Sequence, residues 1–587
     1  MKESLFNLSQ LSNYVFNQLP FKMGIIKRMK KYLILGLTLF LVYGCVQDKS
    51  KETSLVIVEK HGTAQLTVVL GTKPSAAERR VTELLAERIK DRTGLVLSRS
   101  DKNTEYHLVL GTVATNEKIK TFAAKHRDIE TLGADGYYIS VDPSESELYV
   151  IGQSESGVVA GVGKLMREMR YKQGKLEVPA LQISETPQMP NRGMYLWARR
   201  YYFDNPDQLD RYIEELALWG CNGVSFWFEM AMFNSFQDTT GNQGESGDWY
   251  NHYFKEGKKY LPQEWITKYQ RFYNTARRMG MKTGLLMVAN DAYMSSPKEM
   301  RIEPIIGAPG WAMCPSKPGS VEQMLDWQEE VFRALSPIDI FNIFPADPGG
   351  CSCDECTPWP TNGLWKIALP LGDRIHEISP GTEIWIDTWH LNHPTFGGKD
   401  WQNLVDSLDS SKETPKWFAG FEVGMAPHHK FAGMSAEERN YYNNAKRPIT
   451  VFPDISMWGN HEGMLVNKEY WKSLQSEIND YDPKLMKGGW PYTERWNTDI
   501  ANIVFLSWFK NSKKSVDTIL DEYASFYFGP EAETGRKLLD LLDDENKDSQ
   551  QKQKIRETLA KLESTVPAWV KNDWRWNEIV LSCSRFM

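Results

Sequence analysis

At 587 residues the chain exceeds one ordinary core, and at roughly 100–200 residues per domain it implies two or three domains, one large enough for a barrel. Hydrophobic residues at 41% and charged residues at 25% exclude a disordered or fibrous chain, and a formal charge of −7 without a long basic block argues against nucleic acid as a partner. The departure is aromatic, with 21 Trp beside 25 Tyr and 25 Phe, and it leaves two readings open: a large aromatic core, or rings that pack on the flat C–H faces of sugars.

Lys27, Arg28, Lys30 and Lys31 precede an apolar run over 32–43, and Gly44-Cys45 follows. A basic segment, a short apolar segment and a small residue before a cysteine make an export signal. About a dozen apolar residues are too few to span a bilayer comfortably. Val42-Tyr43-Gly44-Cys45 resembles a bacterial lipobox, with Tyr43 bulkier than that motif usually has. The resemblance implies cleavage before Cys45, diacylglycerol on its sulfur, and a lipoprotein on the periplasmic or cell surface that meets the membrane through this anchor alone. Residues 1–45 are therefore read as signal and 46–53 (VQDKSKET) as a polar tether.

Residues 54–185 read as an α/β domain. Strand-like runs fall at 55–58, 66–70, 106–110, 136–141 and 148–151. Residues 75–92 carry Val81, Leu84, Leu85 and Ile89 at helical spacing and end at Gly94, and 154–169 form a second helix. The expected role of this domain is to pack against the larger domain after it and stabilise it. Over 190–510, apolar runs at 193–197, 223–228, 283–288, 340–344, 383–386, 417–421, 450–452 and 486–490 alternate with amphipathic segments. The clearest helices are 207–218, 263–279, 321–335, 364–378, 436–445, 468–481 and 502–509. Eight strand–helix repeats predict a (β/α)8 TIM barrel, so the fold class is α/β. Residues 511–587 read as a C-terminal helical extension.

Barrel enzymes carry their reactive groups at the C-terminal ends of the strands. Here those ends hold Trp197 and Arg199, Trp227 and Glu229, Asn290 and Asp291, Asp347, then Asp387, Trp389 and His390, then Glu422, then Asp454 with Trp458 and His461 beyond, and finally Tyr492, Glu494 and Arg495. Carboxylates after most of the strands, interleaved with Trp and His, point to a sugar site. Glycosidic cleavage needs one carboxylic acid to protonate the leaving oxygen and a second carboxylate as base, nucleophile or stabiliser. Asp347 leads, because Pro348-Gly349-Gly350 permits a tight turn and a close approach to ligand. Glu494 is second, on the strand exit after Gly488-Gly489, with Glu422 and Glu229 in reserve. Substrate-binding candidates are Trp197, Arg199, Trp227, Asn290, Asp291, Asp387, Trp389, His390, Trp458 and Tyr492.

Arg92-Thr93-Gly94, Val109-Leu110-Gly111, Gly136-Tyr137-Tyr138-Ile139 and the glycines from Gly157 to Gly163 resemble the accessory domain of β-N-acetylhexosaminidases and family 67 α-glucuronidases. Pro190-Asn191-Arg192-Gly193-Met194 resembles their entry into the barrel. The segment from Gly488 to Arg495, with Asp499, resembles a Tyr-Ser-Glu-Gly segment of α-glucuronidase-like and family 163 endo-β-N-acetylglucosaminidase-like barrels. The resemblance implies a glycoside hydrolase acting on an oligosaccharide or polysaccharide that contains N-acetylhexosamine or uronate. It departs from the family 20 pattern, since Pro348 stands where an adjacent Asp-Glu pair would need its Glu, and Arg495 replaces a glycine. Rival readings are a catalytically inactive glycan-binding lipoprotein on the same barrel and a polysaccharide lyase using His390, Arg199 and Tyr492. An esterase lacks its Gly-x-Ser-x-Gly turn.

Cys351, Cys353 and Cys356 cluster in the loop after the fourth strand, and Cys314 precedes that strand. Cysteines one residue apart pair poorly with each other. Two readings stay open: a four-thiolate structural zinc site, or disulfides such as one from Cys314 to a cluster member. No cofactor is expected for catalysis. For the anchor, Cys45→Ala is expected to move the protein from the membrane fraction to the soluble one; fractionation identical to wild type would remove the lipid.

Overall fold

The computed structural model describes residues 54–587 except 61–62, 99–103, 198–204, 229, 231–262, 294–295, 304–311, 346–349, 390, 392–399, 426–434, 456–463, 465, 494–497 and 544–546. The first domain is a mixed sheet of β1 (Ser54–Lys60), β2 (Thr63–Val69), β3 (Leu97–Ser98), β4 (Tyr106–Gly111), β5 (Tyr137–Val141), β6 (Glu147–Gly152), β7 (Arg170–Lys172), β8 (Lys175–Pro179) and β9 (Leu181–Glu185). Its order is β7-β8-β1-β2-β4-β6-β5-β9, with β3 beside β2; β2, β4 and β6 run parallel, and β5 runs antiparallel to both its neighbours. Helix α1 (Ala76–Thr93) starts on a reciprocal cap in which Ser75 accepts from the Glu78 N–H and Glu78 accepts from the Ser75 N–H. It stops at Gly94, whose φ of 77° is left-handed. Helix α2 (Glu155–Glu168) is buried along most of its length.

The second domain is a closed parallel barrel of β10 (Asn191–Trp197), β11 (Gly223–Phe228), β12 (Lys282–Val288), β13 (Ile340–Phe344), β14 (Glu383–Asp387), β15 (Phe418–Met425), β16 (Ile449–Pro453) and β17 (Met486–Gly489). A short continuation, β18 (Tyr492–Thr493), pairs with β10 as β17 does, and β10 pairs on its other side with β11, so the ring closes. The outer helices are α3 (Pro206–Leu218), α4 (Gln263–Arg278), α5 (Ser320–Leu335), α6 (Trp365–Ile378), α7 (Asp400–Ser407), α8 (Ala436–Ala445), α9 (Lys468–Asn479) and α10 (Asp499–Lys510). The C-terminal extension adds α11 (Val516–Phe528), α12 (Ala532–Leu542), α13 (Ser549–Thr565) and α14 (Trp574–Ser584). Arg575 on α14 grips the buried Asp499 carboxylate at the start of α10 with two bonds of 2.7 and 3.2 Å, which fastens the extension to the barrel. Among the described residues no helix is long and apolar enough to cross a membrane.

The period of two along each barrel strand sorts its residues into two apolar groups. Met194, Leu196, Phe226, Phe228, Leu285, Met287, Phe341, Ile343, Ile384, Ile386, Phe421, Val423 and Val451 belong to the outer core shared with the helices. Tyr195, Trp227, Leu286, Val288, Ile340, Phe344, Trp385, Phe452, Trp490 and Tyr492 form a separate cluster that fills the lumen. One boundary differs from the sequence reading in a way that matters. β15 runs to Met425 rather than stopping at 421, so Glu422 lies inside a strand and not beyond its end. The glycines that flank it make this possible: a Cβ on Gly420 would sit 2.5 Å from the Trp385 ring, and one on Gly424 2.5 Å from the Trp389 ring. The strands β3 and β7–β9 and the helix α7 have no counterpart in the sequence reading; β7, β8 and β9 are at most half buried at most positions and lack a continuous apolar run.

The first domain docks on the N-terminal side of the barrel, opposite the strand ends that would carry chemistry. Arg192, at the start of β10, bonds Asp135 at 2.9 Å, and Asn222, just before β11, bonds the same oxygen at 2.8 Å. Burial opposes ionisation of Asp135, but the Arg192 charge with Ser154, Ser156 and Asn222 holds its carboxyl down at about 2. Arg167 on α2 donates to Leu218 O at the end of α3 and to Glu522 on α11, each at 2.8 Å. Gly163 lets these helices close, because a Cβ there would lie 1.9 Å from Leu218 O. Gly163→Ala is therefore expected to lower stability by about 1–3 kcal/mol by forcing α2 off α3, read as a fall in midpoint of thermal unfolding; an unchanged midpoint would show that this contact is slack.

Candidate active site

Glu422 and Asp387 sit side by side in register on β15 and β14, facing the lumen, and both are fully buried. Two strands reach Glu422 from elsewhere in the ring. The Tyr195 hydroxyl on β10 donates to Oε2 at 2.8 Å, and the Asn342 amide on β13 donates to the same oxygen at 2.9 Å. Asp387 Oδ1 accepts from the Trp389 N–H at 2.6 Å, which turns the chain sharply as β14 ends. Asp387 Oδ2 and Glu422 Oε1 then have no other donor among the described residues. The two carboxyl groups are neighbours across the β14–β15 pair. Two carboxylates held side by side away from water repel each other, so the protonated form is favoured.

The electrostatics agree. Burial raises Glu422 well above the ordinary glutamate range, and the Asp387 charge beside it adds to the rise. Burial lifts Asp387 to about 7, against the opposing pull of the Trp389 N–H and the Glu422 proton. The two groups are coupled, and burial with their mutual repulsion favours the protonated forms well above the usual carboxylate range. Burial, with Glu422 beside it, also pushes the Tyr195 phenol up, so it stays a donor. Aromatic rings surround the pair in the lumen: Trp227 lies against Phe344 with centroids 4.7 Å apart, and Trp389 and Tyr492 pack on Phe452 at 5.4 and 5.5 Å.

Of the residues singled out from the sequence, the lumen brings together Asp387, Glu422, Trp227, Trp389 and Tyr492. Trp227 and Trp389 are 7% and 3% exposed, so they are packed rings and not the open cleft walls expected of them. Trp197 ends β10 in register with Trp227. Asn290 and Asp291, expected to bind substrate, are braces, because their polar atoms are taken by backbone. Asn290 donates to Met313 O and Gly350 O and accepts from the Gly350 N–H. Asp291 accepts from the Met230 and Ala292 N–H groups at 2.6 and 2.8 Å, and burial lifts its carboxyl to about 7. Asp454 is buried beyond β16, in a bridge with Tyr492. Arg199, Glu229, Asp347, His390, Trp458, His461, Glu494, Arg495 and Cys45 lie outside the described residues. Cys314, Cys351, Cys353 and Cys356 have their sulfurs within 4.8 Å of one another, with no disulfide joining any two of them. Sequence reasoning misses Tyr195 and Asn342; a lone Asn in Ile340-Phe341-Asn342-Ile343-Phe344 is the available signal.

No protein-family model matches the chain, and no curated protein matches it by sequence. Solved structures do match. A mutant β-hexosaminidase of Streptomyces plicatus bound to its N-acetylglucosamine product superposes with a TM-score of 0.52 at 14% identity, covering 83% of this chain and 93% of that one. The GH20 β-N-acetylhexosaminidase of Streptomyces coelicolor A3(2) gives 0.52 at 14% identity, over 85% and 96%. A GH115 4-O-methyl-α-glucuronidase with specificity for decorated arabinogalactans gives 0.56 at 10% identity, over 91% and 73%. The chain thus shares its overall fold with these solved structures.

The raised carboxyls set a pH dependence with a definite sign. Unfolded, Asp387 ionises near its ordinary 3.8, whereas folded it holds its proton to about 7, so the native state binds more protons between these values and stability falls as pH rises through them. Glu422→Gln removes one of the two raised carboxyls and keeps an acceptor for Tyr195 and Asn342. The variant is expected to match wild type in acid and to unfold at higher temperature near neutral pH. Glu422→Ala, which strands both donors, is expected to lose about 1–3 kcal/mol per donor. Parallel pH–stability curves for wild type and Glu422→Gln would contradict the raised Glu422 carboxyl.

Proposed function

We propose that the chain is a glycoside hydrolase that cleaves complex glycans containing N-acetylhexosamine or uronate by carboxylate acid–base catalysis. The carrying observation is the buried Asp387–Glu422 pair among lumen aromatics, close to the strand ends where barrel enzymes work. Glycosidic hydrolysis passes through an oxocarbenium-like state, and an ionised carboxylate near that centre favours it. The pair also disfavours ionisation of any acid placed close by, which suits a group that must stay protonated before donating to the leaving oxygen. Asp347 and Glu494 are the acid and its partner in this reading. Asp347 lies just past β13, the strand that presents Asn342 to Glu422, and Glu494 directly follows β18, the strand of Tyr492. The fold likeness to β-hexosaminidases and an α-glucuronidase supports the reaction class and the choice of sugars. The export signal and Cys45 would hold the enzyme on a membrane surface by its lipid, with the substrate arriving from outside the cytoplasm.

The test is a panel of glycans with N-acetylhexosamine or uronate ends, scored by released sugar. Wild type is expected to hydrolyse at least one member. Asp347→Asn and Glu494→Gln are each expected to cut turnover by about 10²–10⁴-fold with folding intact. Near wild-type rates in both variants would move the assignment to Glu422 and Glu229. Tight binding without any turnover would make the chain a sugar-binding protein.

A further inference from the structure

We propose that Cys314, Cys351, Cys353 and Cys356 bind one zinc ion in a closed tetrahedral site that clamps two loops on the C-terminal side of the barrel. The sulfurs of Cys314 and Cys353 are 3.7 Å apart, as are those of Cys314 and Cys356. A disulfide holds its sulfurs about 2.05 Å apart. Four thiolates around zinc stand at about 2.3 Å from the metal, and the edge of that tetrahedron is about 3.7–3.8 Å. The observed spacing is therefore that of a metal tetrahedron. All four sulfurs fall within 4.8 Å of one another, so a single ion suits the group. Cys314, Cys351 and Cys356 are buried and Cys353 is half-buried.

The surroundings favour thiolates. The Ser316 hydroxyl lies 3.1 Å from the Cys356 sulfur, and the Lys366 ammonium donates to that hydroxyl at 2.6 Å. With its lone pair so engaged, Ser316 directs its hydrogen at the sulfur, an outer bond of the kind that steadies metal ligands. Lys366 also donates to Glu355 O inside the cysteine loop at 2.9 Å, and its charge offsets part of the excess negative charge of four thiolates on one divalent ion. Asn290 joins the same two segments from the lumen side, because its contacts are to Met313 and Gly350, the residues just before Cys314 and Cys351. All four coordination positions are filled by sulfur, so the ion holds structure and takes no part in hydrolysis.

Purified wild-type protein is expected to carry about one zinc per chain by elemental analysis. Cobalt(II) exchanged into it is expected to give the visible and near-ultraviolet bands of a tetrahedral thiolate centre. A mercurial titration should release the zinc as four thiols react. Cys353→Ser should lose the zinc and lower thermal stability, whereas Cys221→Ala should keep the full metal content. Metal-free native protein with four titratable thiols would overturn the proposal, as would a disulfide among these residues or bound iron in place of zinc. None of these readouts depends on glycan turnover.

Discussion

The burial of two acids side by side, Asp387 and Glu422, is the constraint around which the barrel lumen is arranged. Two acidic side chains with no exposed surface cannot both ionise next to each other, and neither can stay there without donors. The lumen supplies them from three directions: the phenol of Tyr195, the amide of Asn342 and the Trp389 N–H. β10 and β13 are thereby joined to β15 through the barrel centre by polar bonds, where a core of branched aliphatics would give packing alone. Gly420 and Gly424 answer the same requirement, since they leave room for the Trp385 and Trp389 rings on either side of Glu422.

The rest of the molecule keeps that centre rigid from outside. The accessory sheet is keyed to the N-terminal face by Asp135, Arg192 and Asn222, and α2 closes on α3 at Gly163. The C-terminal helices are bound through Arg575 and Asp499. On the opposite face, Asp291 holds the chain after β11 through Met230, and Asn290 ties the two cysteine segments together. Supports thus lie on both faces, while the strand ends are left to carry loops. This division of labour is the one expected of barrel enzymes, in which loops vary the chemistry and the opposite face secures the fold.

Much of this was legible in the sequence because parallel strands buried on both faces read as apolar runs between amphipathic helices. β11 and β13 were bounded to the residue, and α8 likewise. The strands β7–β9, at and beside the sheet edges, escaped because each buries only part of its residues. The site was harder. Glu422 looked like a residue past a strand end, since the strand-like run closes at Phe421 and the room that Gly420 and Gly424 leave for two indoles cannot be read from sequence. Tyr195 was invisible among the apolar residues of β10, although it shares lumen parity with Asn342 and Glu422. Asn290 and Asp291 looked like ligand contacts because sequence shows a polar group and not the backbone group it faces. The cysteine spacing was legible as a cluster; the 3.7 Å sulfur separations on which the zinc proposal rests were not.

The central claim is that this pair keeps a buried proton at the pH where the enzyme would work. Infrared difference spectroscopy over a pH titration reads it directly, through the carbonyl stretch of a protonated, water-excluded carboxyl group. The account predicts such a band at neutral pH in wild type, its disappearance in Glu422→Gln, and a shift of its apparent titration in Asp387→Asn. A wild-type spectrum that shows both carboxyl groups ionised at neutral pH, or a band unaffected by Glu422→Gln, would contradict it.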